Sequence, residues 1–256
     1  MAPIRLANPA PVLGAFRASS RQAPRWNCMW RSYHSYDYNQ PPPFPAAESA
    51  ILSRAIEHVP GYGFTVDALK LGARDAGYLD ASTNLLPRGV FDLVDYHLVM
   101  QRLALKDSVQ FPDAEGGKKV GVGSKVRTLT LARLRANEPI IHRWQEALAI
   151  MAQPTYIPPS LAELARLADE IWFLAGDTSV DTSWYTKRAT LSAIYSATEV
   201  FMTQDKSSNF KETEEFLDAR LEDNMKLGKA VGGFAAWADF TAHSAVNVLR
   251  SKGMRI

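Results

Sequence analysis

Apolar residues recur at three- and four-residue spacing through most of the chain beyond residue 45, a period typical of helices with one buried face. The first such segment spans 47–59 and ends at a Pro-Gly turn. A second spans 66–76, with Thr65 as a suitable N-cap, and a third spans 88–106. These three segments have the spacing of a helix-turn-helix module.

A glycine-rich loop at 108–124 separates this small module from a larger body with the same helical period. No stretch alternates apolar and polar residues over a strand's length. The sequence therefore predicts an all-α bundle. The helices predicted for the body span 125–135, 138–152, 160–175, 181–203 and 211–229.

The last helical segment follows Gly232-Gly233 and is amphipathic. Its apolar face carries Phe234, Trp237, Val248 and Leu249. A detached helix with Phe and Trp on one face can lie in a bilayer interface. The same face could instead pack on the body or on a second subunit, and the helical wheel does not separate these alternatives.

Composition and charge divide the chain near residue 33. The 256 residues are 46% hydrophobic, enough for one sizeable core. Residues 1–33 contain five arginines and no acidic residue, whereas the remainder carries a net charge of −3. This composition is typical of a mitochondrial transit peptide cleaved near Tyr33, although a basic disordered tail is an alternative. The lone cysteine, Cys28, lies in this segment, and no apolar run is long enough to span a bilayer.

Motifs for catalysis are absent from the sequence. The five histidines include no His-Glu-x-x-His pair, and Glu138 with His142 alone cannot complete a metal site. Gly121-x-Gly123 lacks the third glycine of a dinucleotide fingerprint. We therefore expect no catalytic residue, no metal site and no cofactor, and predict that the chain is not an enzyme.

Charge also argues against DNA binding by the helix-turn-helix module. From Asp80 to Tyr96 the net charge is −2, which a phosphate backbone would repel. Basic residues concentrate instead between 118 and 143, opposed only by Glu138. This cluster is either a solvated surface or a contact for anionic lipid or an acidic partner. Its members are Lys118, Lys119, Lys125, Arg127, Arg133, Arg135 and Arg143.

Two adjacent aromatic residues, Trp184 and Tyr185, follow a polar turn that begins at Gly176. Neighbouring helical residues point about 100° apart, so both cannot face one narrow core seam. At least one should lie near the surface, where large aromatics suit protein recognition. Asp181 could belong to the same surface or simply cap the helix, and Arg188 is placed to stack on Trp184.

Three blocks of sequence resemble the mitochondrial coenzyme Q accessory family, the lipid-binding proteins of ubiquinone biosynthesis. The likeness runs from about residue 47 to 228, and the three N-terminal helices resemble TetR regulators. The blocks are Gly176-Asp177-x-Ser179-x-Asp181-x-x-Trp184-Tyr185-Thr186-Lys187-Arg188, Tyr195-Ser196-x-Thr198-Glu199-x-Phe201-Met202 and Phe216-Leu217-Asp218-x-Arg220.

The resemblance implies a TetR-like all-α fold with a hydrophobic pocket for isoprenoid quinone intermediates and phospholipids. It implies that Asp181, Trp184 and Tyr185 dock onto the di-iron demethoxyubiquinone hydroxylase within the ubiquinone-biosynthesis complex. It also implies that the terminal helix, through Phe234, Trp237, Val248 and Leu249, associates with the inner membrane from the matrix side. A homodimer is compatible with this picture, and nucleic acid is not an expected partner.

The expected protein is thus a non-catalytic accessory protein that presents polyprenyl quinone intermediates to the membrane-bound hydroxylase. A DNA-binding TetR-type regulator and an enzyme acting itself on quinone precursors are the alternatives. The expected divisions are 1–45 for the transit peptide and lead-in, 46–107 for the helix-turn-helix-like module, 108–124 for the loop, 125–230 for the lipid-binding body and 231–256 for the membrane helix.

Overall fold

Helices account for almost all regular structure in the computed structural model, which describes residues 41–111, 120–177 and 183–226. No strand occurs in these ranges, as the periodicity predicts. The α-helices are α1 Ala46–Tyr62, α2 Val66–Asp75, α3 Val90–Ser108, α4 Val122–Arg135, α5 Trp144–Met151, α6 Ile157–Leu174, α7 Ser183–Met202 and α8, whose described part is 211–226. Three 3-10 segments span Asp80–Leu85, Glu138–Arg143 and Ser208–Phe210.

Two helix boundaries near prolines depart from the sequence prediction. α1 continues through Pro60 to Tyr62 and is capped by Gly63, whose φ of 68° suits glycine. The single helix predicted at 138–152 is wrong. Pro139 lies at its start, and the segment forms a 3-10 turn before α5 begins at Trp144. Thr65 caps α2 as predicted, since its hydroxyl accepts from the Ala68 amide at 3.4 Å.

The helix-turn-helix module differs from the sequence prediction in its third element. α1 and α2 pack closely where Gly72 meets the Ala55 backbone. A short turn through Gly77 then leads into the 3-10 segment Asp80–Leu85, where a reading helix would be expected. The long helix α3, predicted as the third helix of the module, only follows this segment. The position of a reading helix is therefore held by a short segment with one acidic and no basic residue.

Two hydrophobic clusters form the core. The first joins α1, α2 and α3 to Ile140, Trp144 and Ala147, so residues beyond the glycine-rich loop complete the N-terminal module. The second joins α4, α6 and α7, with Leu217 from α8. α6 and α7 run antiparallel, because Asp169 late in α6 meets Arg188 early in α7. This hairpin forms much of the pocket described next.

Candidate functional site

A largely apolar pocket of about 230 Å³ lies between α3, α5, α6 and α7. Its walls are aliphatic side chains. Three apolar residues that are substantially exposed, Ile157, Leu161 and Val200, mark its mouth. A pocket with exposed apolar residues at its entrance is suited to an apolar ligand. The wall residues are Leu98, Leu148, Met151, Leu164 and Leu167.

A buried polar network lines one side of this pocket. Arg133, Tyr195 and Glu199 all line it and are all buried. The Tyr195 hydroxyl donates to Glu199 Oε1 at 3.0 Å. Behind them, the side-chain amide of Asn137 donates to the same Glu199 oxygen, also at 3.0 Å. We call Arg133, Tyr195 and Glu199 the polar floor.

Asn137 connects the polar floor to His97. Its Oδ1 lies 2.9 Å from both Arg133 Nη1 and His97 Nε2, so His97 is the donor in the second contact. Burial and the positive charge of Arg133 lower the pKa of His97 to about 4, although its bond to Asn137 opposes the shift. The histidine is therefore neutral at physiological pH.

Burial dominates the titration of the two acidic groups of the polar floor. It raises the pKa of Glu199, while Arg133 and hydrogen bonds from Tyr195 and Asn137 act in the opposite direction. It also raises the pKa of Tyr195, so the phenol stays protonated and remains a donor. Within the polar floor, Arg133 keeps two unused donors: its Nε and Nη2 have no hydrogen-bond partner among the described residues.

The basic cluster expected between 118 and 143 does not form one solvated or docking surface in the described part of the chain. Arg133 is 1% exposed and belongs to the polar floor. Arg127 binds Asp218 and Glu214 of α8, and Arg135 reaches Glu214 at 3.4 Å. These cations are partnered within the fold, because α8 carries carboxylates that are distant in sequence. Lys118 and Lys119 lie outside the described residues.

Trp184 and Tyr185 lie in the first turn of α7, and Tyr185 is 70% exposed while Trp184 is half-buried. The exposure expected of at least one of them is confirmed. Their rings meet edge to face at 4.7 Å between centroids. The Arg188 guanidinium lies 3.9 Å from the centroid of the Trp184 ring, the stacking that the sequence predicted.

Acidic residues of α6 and the following turn hold Arg188 against Trp184. Asp169 accepts from Arg188 Nε, and Asp177 lies 3.6 Å from Arg188 Nη1. Asp177 also accepts from Lys187 Nζ at 2.8 Å. The indole is thus positioned by a buried ion-pair cluster, which leaves Tyr185 as the projecting ring. We call Trp184 and Tyr185 the aromatic patch.

Several residues assigned from the sequence lie outside the described part of the chain. These are Asp181 of the expected docking surface, residues 1–33 of the expected transit peptide, and the residues expected to contact the membrane, Phe234, Trp237, Val248 and Leu249. In the described ranges, no group of three or more His, Cys, Asp or Glu side chains is arranged to hold a metal ion. No helix in those ranges has the length and apolarity needed to cross a membrane.

The COQ9 family model matches residues 157–228, which contain α6, α7, the aromatic patch and α8. The Schizosaccharomyces pombe protein "Ubiquinone biosynthesis protein coq9, mitochondrial" is 37% identical over 228 residues, with 88% of each chain covered. This chain belongs to the COQ9 family. The rat and human COQ9 proteins, also named as mitochondrial ubiquinone biosynthesis proteins, are each 37% identical over 183 residues. Those matches cover 70% of this chain, and 58% of the rat and 57% of the human protein.

A solved structure supports the fold of this COQ9-family chain. The TetR transcriptional regulator from Nitrosomonas europaea superimposes with a TM-score of 0.50, covering 68% of this chain and 95% of the regulator. At 16% identity the likeness concerns the fold alone. The TetR-like all-α fold is therefore confirmed, and family membership places the chain in ubiquinone biosynthesis.

Proposed function

We propose that this COQ9-family protein is a non-catalytic lipid carrier that brings polyprenyl quinone intermediates to the di-iron demethoxyubiquinone hydroxylase. The observation that supports this most directly is the apolar pocket with the exposed mouth residues Ile157, Leu161 and Val200. Each Å² of apolar surface kept from water stabilises the bound lipid by about 25 cal/mol. Such a pocket lowers the cost of moving part of a lipid out of the bilayer.

The aromatic patch is the proposed docking surface for the hydroxylase. Tyr185 projects into solvent, and Trp184 is held by Arg188 rather than packed in the core. Aromatic residues presented on a rigid support bind partners at a small entropic cost. Asp181 and the wider ubiquinone-biosynthesis complex belong to the same proposal, in which chemistry is done by the partner and this chain supplies proximity.

The remaining parts of the chain have proposed roles as well. Residues 1–45 would comprise the mitochondrial transit peptide, cleaved near Tyr33, and a lead-in to the fold. Residues 46–107 and 125–230 would form the module and the lipid-binding body on either side of the 108–124 loop. Residues 231–256 would associate with the matrix face of the inner membrane. Phospholipids are proposed as further ligands of the pocket. A homodimer is compatible with the TetR-like fold.

Reconstitution with the hydroxylase tests the division of labour. Purified hydroxylase is added to vesicles containing a demethoxyquinone, with and without this protein, and hydroxylated product is measured. We expect the protein to accelerate turnover by the hydroxylase and to form no product alone. Product formed by this chain alone would identify it as an enzyme, whereas no acceleration would contradict the carrier role.

The docking surface is tested with Tyr185→Lys and a matched control, Tyr62→Lys. Both tyrosines are more than half exposed, but Tyr62 lies at the end of α1 and outside the aromatic patch. We expect Tyr185→Lys to weaken hydroxylase capture at least about tenfold, a hot-spot loss, and Tyr62→Lys to leave it unchanged. Equal capture by both variants would remove the aromatic patch from the proposal.

DNA binding is the alternative suggested by the TetR-like fold. Arg88, the one basic residue between Asp80 and Tyr96, is bound to Asp92 and Asp95 at 2.7 and 2.6 Å. It is therefore poorly placed to reach a phosphate backbone. Salt-dependent binding to duplex DNA at micromolar protein would favour this alternative, and we expect none.

A further inference from the structure

The size of the pocket limits what it can enclose. A volume of about 230 Å³ is below the roughly 300–1,000 Å³ of pockets that surround a drug-sized ligand. A polyprenyl quinone has a compact ring and a long chain, so the described pocket encloses one end of such a molecule and not the whole. The exposed mouth residues Ile157, Leu161 and Val200 then border the part that remains outside.

The polar floor indicates which end enters. Arg133 is 1% exposed and lines the pocket, yet its Nε and Nη2 have no partner among the described residues. A buried, unsatisfied donor costs free energy, more so on a charged group. An apolar tail in the pocket would leave both donors unsatisfied, whereas oxygen acceptors would satisfy them.

The arrangement of these donors narrows the ligand chemistry. Nη1 is fixed by Asn137 Oδ1 at 2.9 Å, and Asn137 is itself held by His97 and Glu199. Nε and Nη2 form the edge of the guanidinium that binds two neighbouring acceptors in a fork. Glu199 is engaged by Tyr195 and Asn137 through Oε1, so those groups do not compete for the free edge.

We propose that the lipid enters the pocket head first, so that two adjacent oxygen atoms of its polar end bind Arg133 Nε and Nη2 while its chain leaves between Ile157, Leu161 and Val200. This assignment rests on the proposed lipid-carrier function. The shared chemistry is a pair of neighbouring oxygen acceptors on an apolar chain. A ring with adjacent methoxy and carbonyl oxygens, a carboxylate and a phosphate monoester all have it.

Ligands with one tail and different heads test the proposal on the wild-type protein. Affinity is measured by calorimetry for a decyl-substituted dimethoxybenzoquinone, decanoate, decyl phosphate and decylbenzene, which has a ring and a chain but no oxygen. We expect at least one oxygen-bearing ligand to bind at least about tenfold more tightly than decylbenzene, the scale of a hydrogen bond to a charged group. The ligand that gains most identifies the head. Equal affinity across the series would overturn the proposal.

Variants of Arg133 and Leu161 then distinguish binding of the polar head from binding of the apolar tail. Arg133→Lys keeps the charge but removes the fork, and Arg133→Met removes the charge as well. We expect both to lose the preference for the oxygen-bearing head while decylbenzene binds as before. Leu161→Ser, at the mouth, should weaken all tail-bearing ligands alike without changing the preference.

The outcomes distinguish this inference from the function on which it rests. If no decyl ligand binds the wild-type protein, the carrier function fails. If decylbenzene binds as tightly as every headed ligand, the carrier function stands and the head-first orientation fails. If the Arg133 variants do not melt cooperatively, the wild-type series decides alone. If they fold and keep the head preference, Arg133 is not the head-binding residue.

Discussion

Asn137 is the residue on which the buried polar network converges. Its amide oxygen accepts from His97 and Arg133, and its amide nitrogen donates to Glu199. Both the oxygen and the nitrogen of the Asn137 amide therefore have partners. The bond from Arg133 Nη1 to this amide oxygen fixes Arg133 at the pocket. Asn137 is held rigidly in this position, because each alternative rotamer of its amide would leave a buried polar atom unsatisfied.

His97 makes this network sensitive to acid. Because burial lowers its pKa from 6.5 to about 4, the unfolded state binds the proton first as the pH falls. The contribution to stability is fully present above pH 6.5 and decreases towards pH 4, by up to about 3 kcal/mol. Urea melts of the wild type and His97→Gln at several pH values measure it. The glutamine variant should lose less stability on acidification, and parallel losses would contradict the assignment.

Local spacing made some site residues predictable from the sequence and left others hidden. Trp184, Tyr185 and Arg188 lie within one turn of α7, so their exposure and stacking follow from helix geometry. Arg133 was assigned to a basic surface cluster. Its burial depends on partners at Asn137 and on the packing of α6 and α7, which spacing along the chain does not encode.

At the scale of elements, the contact between α1 and α2 depends on a missing side chain. A Cβ on Gly72 would lie 2.5 Å from the Ala55 amide nitrogen, so the two helix backbones approach as closely as glycine permits. Gly61, near the end of α1, has nothing within 4 Å of its corresponding position. Close packing of α1 against α2 therefore requires glycine at position 72 but not at position 61.

Gly72→Ala should destabilise the protein by about 1–3 kcal/mol, because α1 and α2 must separate to admit the methyl group. Gly61→Ala is the matched control and should be neutral or stabilising by up to about 1 kcal/mol, since alanine favours helix. Chemical denaturation measures both changes. A Gly72→Ala variant as stable as its control would show that the α1–α2 contact is not tightly packed.

Arg127 of α4 holds α8 against the body. Hydrogen bonds to Asp218 and Glu214 raise its pKa, and Nη2 lies 2.6 Å from Glu214 Oε1. Because these groups are partly exposed, we expect Arg127→Met to cost only about 1 kcal/mol. Amide exchange should accelerate within 211–226, while Arg135→Met, whose contact is 3.4 Å and exposed, should have little effect. Unchanged exchange in Arg127→Met would contradict this role.

Helix periods along the chain predicted most elements, and the misses have local causes. The all-α fold follows from the repeated three- and four-residue spacing. The periodicity did not predict the break between Glu138–Arg143 and α5. It also did not predict the 3-10 segment at Asp80–Leu85. Both misses involve a 3-10 segment of six residues, which is too short to show a period of its own.

At the scale of the whole described body, the pocket mouth and the aromatic patch lie at opposite ends of the α6–α7 hairpin. Trp184 lies in the first turn of α7 and Val200 is close to the end of that helix, which places them about 24 Å apart at the helical rise per residue. Under the proposed function, a partner docked on the patch would have to extend along α7 to meet the lipid. The size of that partner, and not only its contact with Trp184 and Tyr185, would then determine whether the lipid passes to it directly.

The claim that the pocket holds lipid is tested most directly by mass spectrometry of lipid that co-purifies with the protein. Ser196→Phe fills the pocket from α7, and Thr190→Phe places the same ring on α7 away from it. We predict isoprenoid or phospholipid bound to the wild type and to Thr190→Phe, with at least about a tenfold loss in a folded Ser196→Phe variant. Wild-type protein free of lipid, or equal lipid in both variants, would contradict the account.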